Sequence, residues 1–478
     1  MSHYGGIYVI ADIVLTYVEG RGGLEEVINI VSNGLIRKGH RIRIFIAYES
    51  KYLEWKNDIK EIYIYKLDGD LNVNNLAYGY KKIINEIGNP DIIIATHTPV
   101  MSLICNLAIR ELKGNKPPII SWIHGEPKFY GSEELLNYSD AHIAISNDIG
   151  RQINKYITKA SPIYYIPNPI DIKSFHKVKQ NKKDLELIYI GRLKNREKRI
   201  DVLFNALKKL DRPWKLKVIG SGKDEVELKL LSKRLNIENN IAWYGWLDEP
   251  WSNIETASLL VLTSDVEGFG LVLVEALGRG IPVISSDCSG PKDIIKNDIN
   301  GWIFERNNSE QLYNILSELQ SGKKLLPKSE ICIKSVEKFE TEQVIHKFEA
   351  LLLKYTEKEK NILDSIENLI AENEIEEALD TIEYYYDRFC SNTRFLNMKS
   401  IIAIKMYEYE IAISNLEYAK SLLNEVDLDT YYNLAYAYYK NREWRKSLNT
   451  YMYILDIVDI EEQSKILNII DEIYKQLW

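Results

Sequence analysis

The chain carries two glutamates, Glu267 and Glu275, inside one of its most apolar segments, SDVEGFGLVLVEALGRGIPVISSDCSGP (264–291). A buried carboxylate is costly unless it has a hydrogen-bonding partner. Carboxylate oxygens can accept two hydrogen bonds from a vicinal diol, such as that of a ribose. Ordinary core packing would not need two carboxylates, so the pair predicts a ligand site.

The turn between these glutamates predicts an anion site. SLLVLTSD indicates a strand and LVLVEALG a helix, and Gly268 and Gly270 between them permit a tight turn. The helix begins just after the turn, so free backbone N–H groups there can bind a diphosphate. These amides belong to Phe269, Gly270 and Leu271. The order places Glu267 just before the anion site and Glu275 more than one turn into the helix.

Two cations are spaced to complement such an anion. The predicted strand ELIYIGRL ends at Arg192, and Lys198 follows six residues later, near the start of the next helix. Cations at one sheet edge can clamp phosphates and stabilise a departing diphosphate without a metal ion. Arg192 taken by itself could instead be a solvated charge at a strand end.

The elements that must position these residues form two similar patterns. Strand and helix patterns alternate over residues 1–165 and again over 185–330, which favours two parallel sheets covered by helices. Between them lies YYIPNPIDIKSF, where two prolines bracket Asn168 as in a linker. We predict Rossmann-like, doubly wound domains over 1–167 and 168–356. Their facing sheet edges would leave a cleft for a two-part substrate.

The last segment, predicted as a third domain over 357–478, is rich in helical periodicity. Ala378, Ala412 and Ser447 lie 34 and 35 residues apart, each followed four residues later by a larger apolar residue. A period near 34 with small residues at the helix crossing is typical of tetratricopeptide repeats. A generic helical bundle is the alternative. The predicted fold class is therefore α/β, followed by an all-α repeat domain.

Composition narrows the function classes. The chain has 478 residues, enough for two or three domains, and its net charge of −8 argues against a nucleic-acid partner. No apolar run reaches membrane-spanning length, and the N-terminus lacks the features of a signal peptide. The four cysteines show no CxxC spacing, so we expect a cytoplasmic protein without a zinc site.

About 340 residues resemble one enzyme family, the retaining glycosyltransferases of family GT4 with the GT-B fold. EGFGLVLVEALGRGIPVISSD resembles their Glu-x7-Glu motif, and GRLKNREKRIDVLFNAL resembles their diphosphate-binding segment. GRGGLEEVINIVSNGLIRKGHRI resembles their N-terminal GG-x-E loop, and YYIPNPID their interdomain hinge. SSDCSGPKDII is similar to transferases of lipopolysaccharide core and related surface glycans, but is one residue shorter than their DCxSGP form.

The resemblance implies a role for each matching residue. Arg192 and Lys198 would hold the donor diphosphate, Glu275 the ribose, and Glu267 the donor sugar near its anomeric carbon. The remaining implied contacts come from the Phe269, Gly270 and Leu271 amides, the Gly22–Gly23 loop, and His124 near the donor sugar. Glu267 and His124 are the predicted catalytic residues.

Several of these residues also have a purely structural interpretation. Gly22–Gly23 can be a tight connection, and His124 can make a structural hydrogen bond. His97 ends another predicted strand and can line the cleft. Asp68-Gly-Asp70 matches a DxD metal motif, although a surface turn is the favoured interpretation, and Trp251 is interpreted as a packing residue.

The reaction implied is transfer of a hexose-type sugar from a nucleoside-diphosphate sugar, expected to be UDP-linked, to an acceptor hydroxyl of a bacterial surface glycan. It would retain the anomeric configuration and need no metal or other cofactor. The expected partners are the nucleotide sugar and a glycan or glycolipid acceptor.

Two alternatives use the helical tail. The tail could recruit a protein acceptor, a partner enzyme or a second copy, or the chain could be an inactive scaffold that acts through its repeats. Basic clusters at Arg37-Lys38-Arg41-Arg43 and Lys81-Lys82 could touch the inner face of a membrane that carries the acceptor, although solvated faces are the simpler interpretation.

Overall fold

A computed structural model describes residues 8–20, 22–56, 59–66, 72–112, 116–356, 358–390, 392–423, 425–458 and 460–477. The chain divides into two compact units, Met1–Phe348 and Glu349–Trp478. The Asp68-Gly-Asp70 motif lies outside the described residues.

The first half of the larger unit is built on a seven-stranded parallel sheet. Its strands are β1 (Ile10–Leu15), β2 (Arg41–Ile46), β3 (Ile62–Ile64), β4 (Ile92–His97), β5 (Ile119–Ile123), β6 (Ala141–Ala144) and β7 (Ile163–Tyr165). Its helices are α1 (Gly23–Arg37), α2 (Val73–Ile87), α3 (Val100–Ile109), α4 (Pro127–Tyr130) and α5 (Asn147–Tyr156). The strand order is β3-β2-β1-β4-β5-β6-β7, so the direction of winding reverses between β1 and β4.

The second half repeats this plan. Its strands are β8 (Lys179–Gln180), β9 (Leu185–Ile190), β10 (Trp214–Ile219), β11 (Ile241–Gly245), β12 (Thr256–Ala257), β13 (Leu259–Leu262), β14 (Val283–Ser286) and β15 (Gly301–Phe304). Its helices are α6 (Asn195–Lys198), α7 (Ile200–Leu207), α8 (Glu225–Arg234), α9 (Leu271–Gly278), α10 (Pro291–Ile294), α11 (Ser309–Gln320), α12 (Ser329–Lys334) and α13 (Thr341–Tyr355). The main sheet has the order β11-β10-β9-β13-β14-β15, with its reversal between β9 and β13, and β12 pairs with β8.

Continuous apolar runs explain why these strands lie inside their sheets. All five residues of β5, IISWI, and all four of β13, LLVL, are buried. Parallel strands are covered by helices on both faces, so they do not alternate apolar and polar residues as exposed sheets do. The predicted fold class is confirmed, with two doubly wound sheets and an all-helical C-terminal region.

The linker between the two halves contacts the end of the second half, and helix α13 contacts the first half. The Ile170 amide donates to the Phe339 carbonyl over 2.9 Å. On α13, Phe348 packs edge-to-face on Trp122 of β5, with ring centroids 4.8 Å apart. A Cβ added at Gly34 of α1 would lie 2.6 Å from the Ile345 Cδ1 atom. Helix α13 therefore crosses back onto the first half.

The basic cluster in β2 is not a surface feature. The Arg43 guanidinium is fully buried and donates to both Asp12 carboxylate oxygens, over 2.5 and 2.9 Å. The Tyr80 hydroxyl donates to the same carboxylate over 2.7 Å. Arg41 pairs with Glu61 at 2.8 Å. The proposed basic face is wrong at Arg43, because the strand places that side chain inside and a buried carboxylate neutralises it.

The smaller unit consists of consecutive helices. After α13 they are α14 (Lys358–Ala371), α15 (Ile375–Phe389), α16 (Thr393–Lys405), α17 (Tyr409–Leu422), α18 (Leu428–Lys440), α19 (Trp444–Leu455) and α20 (Ile460–Leu477). Helix α16 packs on α17 and also reaches α14 and α18. The small residues Ala378, Ala412 and Ser447 are completely buried. They let neighbouring helices approach closely, as the 34-residue period predicts.

Candidate active site

The reversal of strand order in the second sheet brings together the loops that follow β9 and β13. In open α/β sheets, ligands bind outside the carboxyl ends of the strands at such a reversal. The loop after β9 carries Arg192 and leads to Lys198, and the loop after β13 carries Glu267. The topology therefore collects three of the predicted residues at one crevice.

Lys198 and Glu267 are in direct contact across this crevice. The Lys198 Nζ atom lies 2.7 Å from the Glu267 Oε2 atom, and the two side chains are 14% and 19% exposed. The Thr263 hydroxyl, just after β13, donates to the Lys198 carbonyl over 2.9 Å, which fixes the end of α6. Sequence reasoning placed both residues at the site, but it did not predict that they pair.

Arg192 occupies a more open position. Its side chain is 54% exposed, and its guanidinium lies 3.7 Å from the Glu197 carboxylate. The loop that carries it packs on the loop after β10, where a Cβ added at Gly220 would lie 2.0 Å from the Gly191 carbonyl oxygen. Glycine is required at that contact because the two backbones touch. Arg192 thus stands at the rim of the crevice, while Lys198 stands inside it.

The turn before α9 has the geometry of an anion site. Gly270 adopts a left-handed backbone with φ of 95°, a conformation that favours glycine. Within the described part of the chain, the amides of Phe269, Gly270 and Leu271 donate no hydrogen bond to another residue. The Phe269 ring is buried against Phe339, with centroids 5.3 Å apart. Phe269 can therefore offer its backbone amide but not its ring to a ligand.

Glu275 is held by a residue that sequence reasoning assigned to packing alone. The Trp251 indole N–H donates to the Glu275 Oε2 atom over 2.6 Å. Burial raises the pKa of Glu275, and Trp251 and Arg279 oppose that rise. The Arg279 guanidinium packs on the Phe175 and Trp251 rings, at 3.6 and 4.7 Å from their centroids. Trp251 is a packing residue, 4% exposed, and it also orients the carboxylate.

The N-terminal glycine loop meets the start of α9. A Cβ added at Gly23 would lie 2.6 Å from the Leu271 Cδ1 atom. The Gly20 amide donates to the Glu25 Oε1 atom over 2.7 Å, so the glutamate of the GG-x-E pattern holds the loop. The structure thus places the Gly22–Gly23 loop beside the predicted anion site.

Glu26, in the first turn of α1, was not among the predicted site residues. The residue is exposed, but burial of its carboxyl group raises its pKa to about 7, and the negative charge of Glu275 adds to that rise. The available signal was an acidic residue directly after the GG-x-E pattern.

His124 follows β5, and its backbone touches the turn before α9. A Cβ added at Gly268 would lie 2.2 Å from the His124 carbonyl oxygen. Its Nε2 atom is buried and has no hydrogen-bonding partner among the described residues. Burial lowers the pKa of His124 to about 3, and His97 contributes to the shift. The imidazole is therefore neutral at physiological pH.

A second group of contacts joins the two halves beside His124. The Ser289 hydroxyl lies 2.8 Å from Asp148 and 2.9 Å from Glu126, and Gln152 donates to it over 3.2 Å. The Asn147 amide donates to Asp293 over 2.5 Å. Ser289 belongs to the shortened DCSGP segment, so that departure from the family pattern lies at the contact between the halves.

In the described ranges, no group of three or more histidine, cysteine, aspartate or glutamate residues is arranged to hold a metal ion. Among the helices of those ranges, none combines the length and apolar character needed to cross a membrane.

Comparison with known proteins identifies the family of the chain. Residues 171–339 match the family model described as glycosyl transferases group 1, and residues 21–174 match glycosyltransferase family 4. The chain is 32% identical to the lipopolysaccharide 1,6-galactosyltransferase of Salmonella typhimurium over 321 residues, which cover 64% of this chain and 88% of that protein. The Escherichia coli K12 enzyme of the same name is 31% identical over 323 residues, which cover 64% and 87%.

Solved structures give the same result. The lipopolysaccharide outer core galactosyltransferase WaaB, in its apo form, superposes with a TM-score of 0.65 and 28% identity, covering 72% of this chain and 99% of that one. Anabaena Alr3699/HepE in complex with UDP shares the fold, with a TM-score of 0.61 and 18% identity over 72% of this chain and all of that one. The chain belongs to glycosyltransferase family 4, has the GT-B fold, and carries a helical C-terminal extension.

Proposed function

We propose that this chain transfers a hexosyl group from a UDP-sugar to a hydroxyl of a bacterial surface glycan, with retention of the anomeric configuration. The relatives named above are lipopolysaccharide galactosyltransferases, and one structural neighbour holds UDP. The observation that carries the proposal is the Lys198–Glu267 contact of 2.7 Å at the strand reversal. It lies beside the turn before α9, whose backbone amides make no hydrogen bond within the described residues. A cation, a carboxylate and an anion site meet there.

The cations and the helix terminus would act on the diphosphate. A lysine ammonium has three N–H donors, so Lys198 can hold Glu267 and a phosphate oxygen at the same time. The α9 amides and Arg192 would hold the remaining phosphate oxygens. Together they would stabilise the negative charge that develops as the diphosphate leaves. This fixed positive charge supports transfer without a bound metal or another cofactor.

The carboxylates would act on hydroxyl groups. Trp251 occupies the Oε2 atom of Glu275, which leaves Oε1 for a ribose diol. Glu267, held by Lys198, would position the donor sugar near its anomeric carbon. The neutral His124 can exchange a hydrogen bond with a sugar hydroxyl through Nε2. Closure of the two halves about Asn168 would exclude water and limit hydrolysis of the donor.

We further propose that the enzyme works in the cytoplasm and meets a lipid-linked acceptor at the inner face of the membrane. The burial of Arg43 and the Arg41–Glu61 pair weaken the case for a basic membrane-binding face. A glycolipid acceptor would itself provide the membrane link, because its lipid part already lies in the bilayer.

The helical unit supports a second candidate function, modification of a protein or recruitment of a partner, which could be a second copy. Three tyrosines on this unit are more than half exposed, with Tyr384 at 60%, Tyr407 at 79% and Tyr453 at 56%. Exposed aromatic side chains on a repeat surface suit protein binding. Truncation after Thr356 tests this function. If the truncated chain still hydrolyses the donor but no longer transfers the sugar, a protein acceptor or partner bound by the helical unit is favoured.

The decisive test of the main proposal is a panel of nucleotide sugars. Binding would be measured by calorimetry and turnover by release of nucleoside diphosphate, with Glu275→Ala alongside. We expect one donor to bind and hydrolyse slowly, and the variant to lose binding because the ribose contact is gone. If the folded wild type binds no donor, the transferase proposal is wrong and the scaffold alternative gains support.

A further inference from the structure

His97 stands at the strand reversal of the first sheet, opposite the glycine loop. The order of that sheet reverses between β1 and β4. The loop after β1 leads to Gly22 and Gly23, and β4 ends at His97. The rule that places the charged crevice in the second sheet therefore marks this position as the corresponding ligand crevice in the first.

The backbone of His97 is strained. Its φ of 83° lies in the left-handed region, which residues with a Cβ atom rarely adopt. Such strained residues cluster at ligand-binding sites, where the surrounding structure forces the conformation. Nothing in the turn itself requires an imidazole there, since glycine would adopt this backbone more easily.

The side chain of His97 has an unused hydrogen-bonding atom. Its Nδ1 atom is buried without a partner among the described residues, and the same is true of Nε2 of His124. His97 pairs in register with Ile123, the residue before His124, so the two rings lie at the ends of adjacent strands. Buried polar atoms in folded proteins are nearly always hydrogen-bonded. Two such atoms at one sheet edge indicate a polar ligand.

Tyr130 packs against the His97 ring. The His97 and Tyr130 rings meet edge to face, with centroids 5.4 Å apart and planes at 80°. Burial raises the pKa of Tyr130 to about 12, and the charges of Arg192 and Glu267 also act on it. Burial also lowers the pKa of His97, so both rings of this pair are neutral at physiological pH. A neutral, hydrogen-bonding pair at the strand reversal of the first sheet suits sugar hydroxyl groups better than a charged diphosphate.

We propose that His97 binds the acceptor: its imidazole exchanges a hydrogen bond with a hydroxyl of the acceptor hexoside and sets the acceptor's position beside the donor sugar. This inference rests on the proposed transferase function and identifies the acceptor side of its site. A neutral imidazole has one donor and one acceptor nitrogen, which matches a sugar hydroxyl.

The transfer step balances without a change in His97. The bond from the anomeric carbon to the diphosphate oxygen breaks, and a bond from that carbon to the acceptor oxygen forms. The acceptor proton passes to the departing diphosphate. His97 keeps its hydrogen bond through the step and takes no proton.

The test uses the full chain with His97→Gly and His97→Asn, and methyl hexosides of the gluco, galacto and manno series as acceptor probes. Glycine fits the left-handed backbone, so His97→Gly should fold with an unchanged or higher thermal midpoint. Asn236→Gly, at an exposed residue with φ of 57°, is the matched control for the backbone change alone. Asparagine tolerates the same backbone and keeps a polar group.

We expect His97→Gly to lower kcat/KM for the hexoside about 10- to 100-fold, as for loss of a buried hydrogen bond, and to leave donor affinity and donor hydrolysis unchanged. His97→Asn should recover part of the loss. Weaker donor binding or hydrolysis in both variants would assign His97 to the donor and overturn the proposal. Unchanged kcat/KM, or a wild type that hydrolyses donor but uses none of the hexosides, would overturn it too. A wild type that releases no nucleoside diphosphate from any donor would instead refute the transferase function itself.

Discussion

The two sheets of the larger unit share one topology, yet the residues at their strand reversals differ in charge. The second sheet presents Lys198, Arg192 and Glu267 beside the free amides of α9. The first presents His97 and His124, both neutral because burial lowers their pKa. A repeated fold thus supplies two crevices of different chemistry. One suits a charged diphosphate, and the other suits neutral hydroxyl groups.

This difference shows where specificity resides in such a fold. Doubly wound sheets define the positions of ligand-binding loops, whereas the few residues that end the strands define which ligand binds. If the comparison is correct, changes at the charged edge should alter donor use, and changes at His97 should alter acceptor use. The buried histidines of the first sheet should also make that sheet sensitive to acid.

The largest effect is expected from Lys198→Ala. It removes a cation from the proposed diphosphate site and leaves the Glu267 carboxylate without its 2.7 Å partner. We expect release of nucleoside diphosphate to fall about 1000-fold, as for loss of a charge-stabilising group in other enzymes. Steady-state turnover measures it, with Lys209→Ala, a surface partner of Glu310, as control. Turnover within a factor of three of wild type would contradict a role for the charged edge in donor use.

A smaller effect concerns acid stability of the first sheet. His142 is fully buried and burial lowers its pKa to about 4, below the ordinary value of 6.5. The unfolded chain therefore takes up a proton as pH falls below 6.5, and the folded chain does not until about pH 4, so stability is lost over that window. At pH 5 the loss is about 2 kcal/mol for such a histidine.

Hydrogen exchange at pH 7 and pH 5 would measure this loss, with peptides from the second sheet as an internal reference. His142→Gln, which can keep a hydrogen bond near Ser121, should reduce the difference. Equal acid sensitivity in wild type and variant would show that His142 is not responsible.

The smallest effect is expected from Trp251→Phe. Phenylalanine keeps the ring beside Arg279 but removes the N–H that donates to Glu275. We expect donor affinity to fall about 10-fold, because Glu275, the proposed ribose ligand, loses its orientation and burial then favours its protonated form. Calorimetric titration with the donor measures it. Trp302→Phe, which removes a similar bond to Asp298, is the control and should leave donor affinity unchanged.

Features encoded within a short segment were predictable from the sequence. Glu267, the glycine turn and the start of α9 are consecutive, so strand, turn and helix patterns locate them. The contact of Lys198 with Glu267 depends on which strands are neighbours, and periodicity does not reveal that order. Likewise the Trp251–Glu275 bond joins two elements 24 residues apart in the chain.

Other expectations failed for identifiable physical reasons. Arg43 was grouped with surface cations because charge alone does not reveal a buried partner such as Asp12. The left-handed backbone of His97 has no sequence signal, because the surrounding fold imposes it on a residue that does not favour it.

Glycine contacts between the two halves have a consequence for how this enzyme can evolve. A Cβ added at Gly268 would lie 2.2 Å from the His124 carbonyl oxygen, and one at Gly23 would lie 2.6 Å from Leu271. At Gly268 the main chain of one half touches the main chain of the other, so no substitution can remove atoms from this contact. A residue with a Cβ atom at Gly268 would therefore push the two halves apart, so a change of substrate range that keeps this contact has to come from other residues.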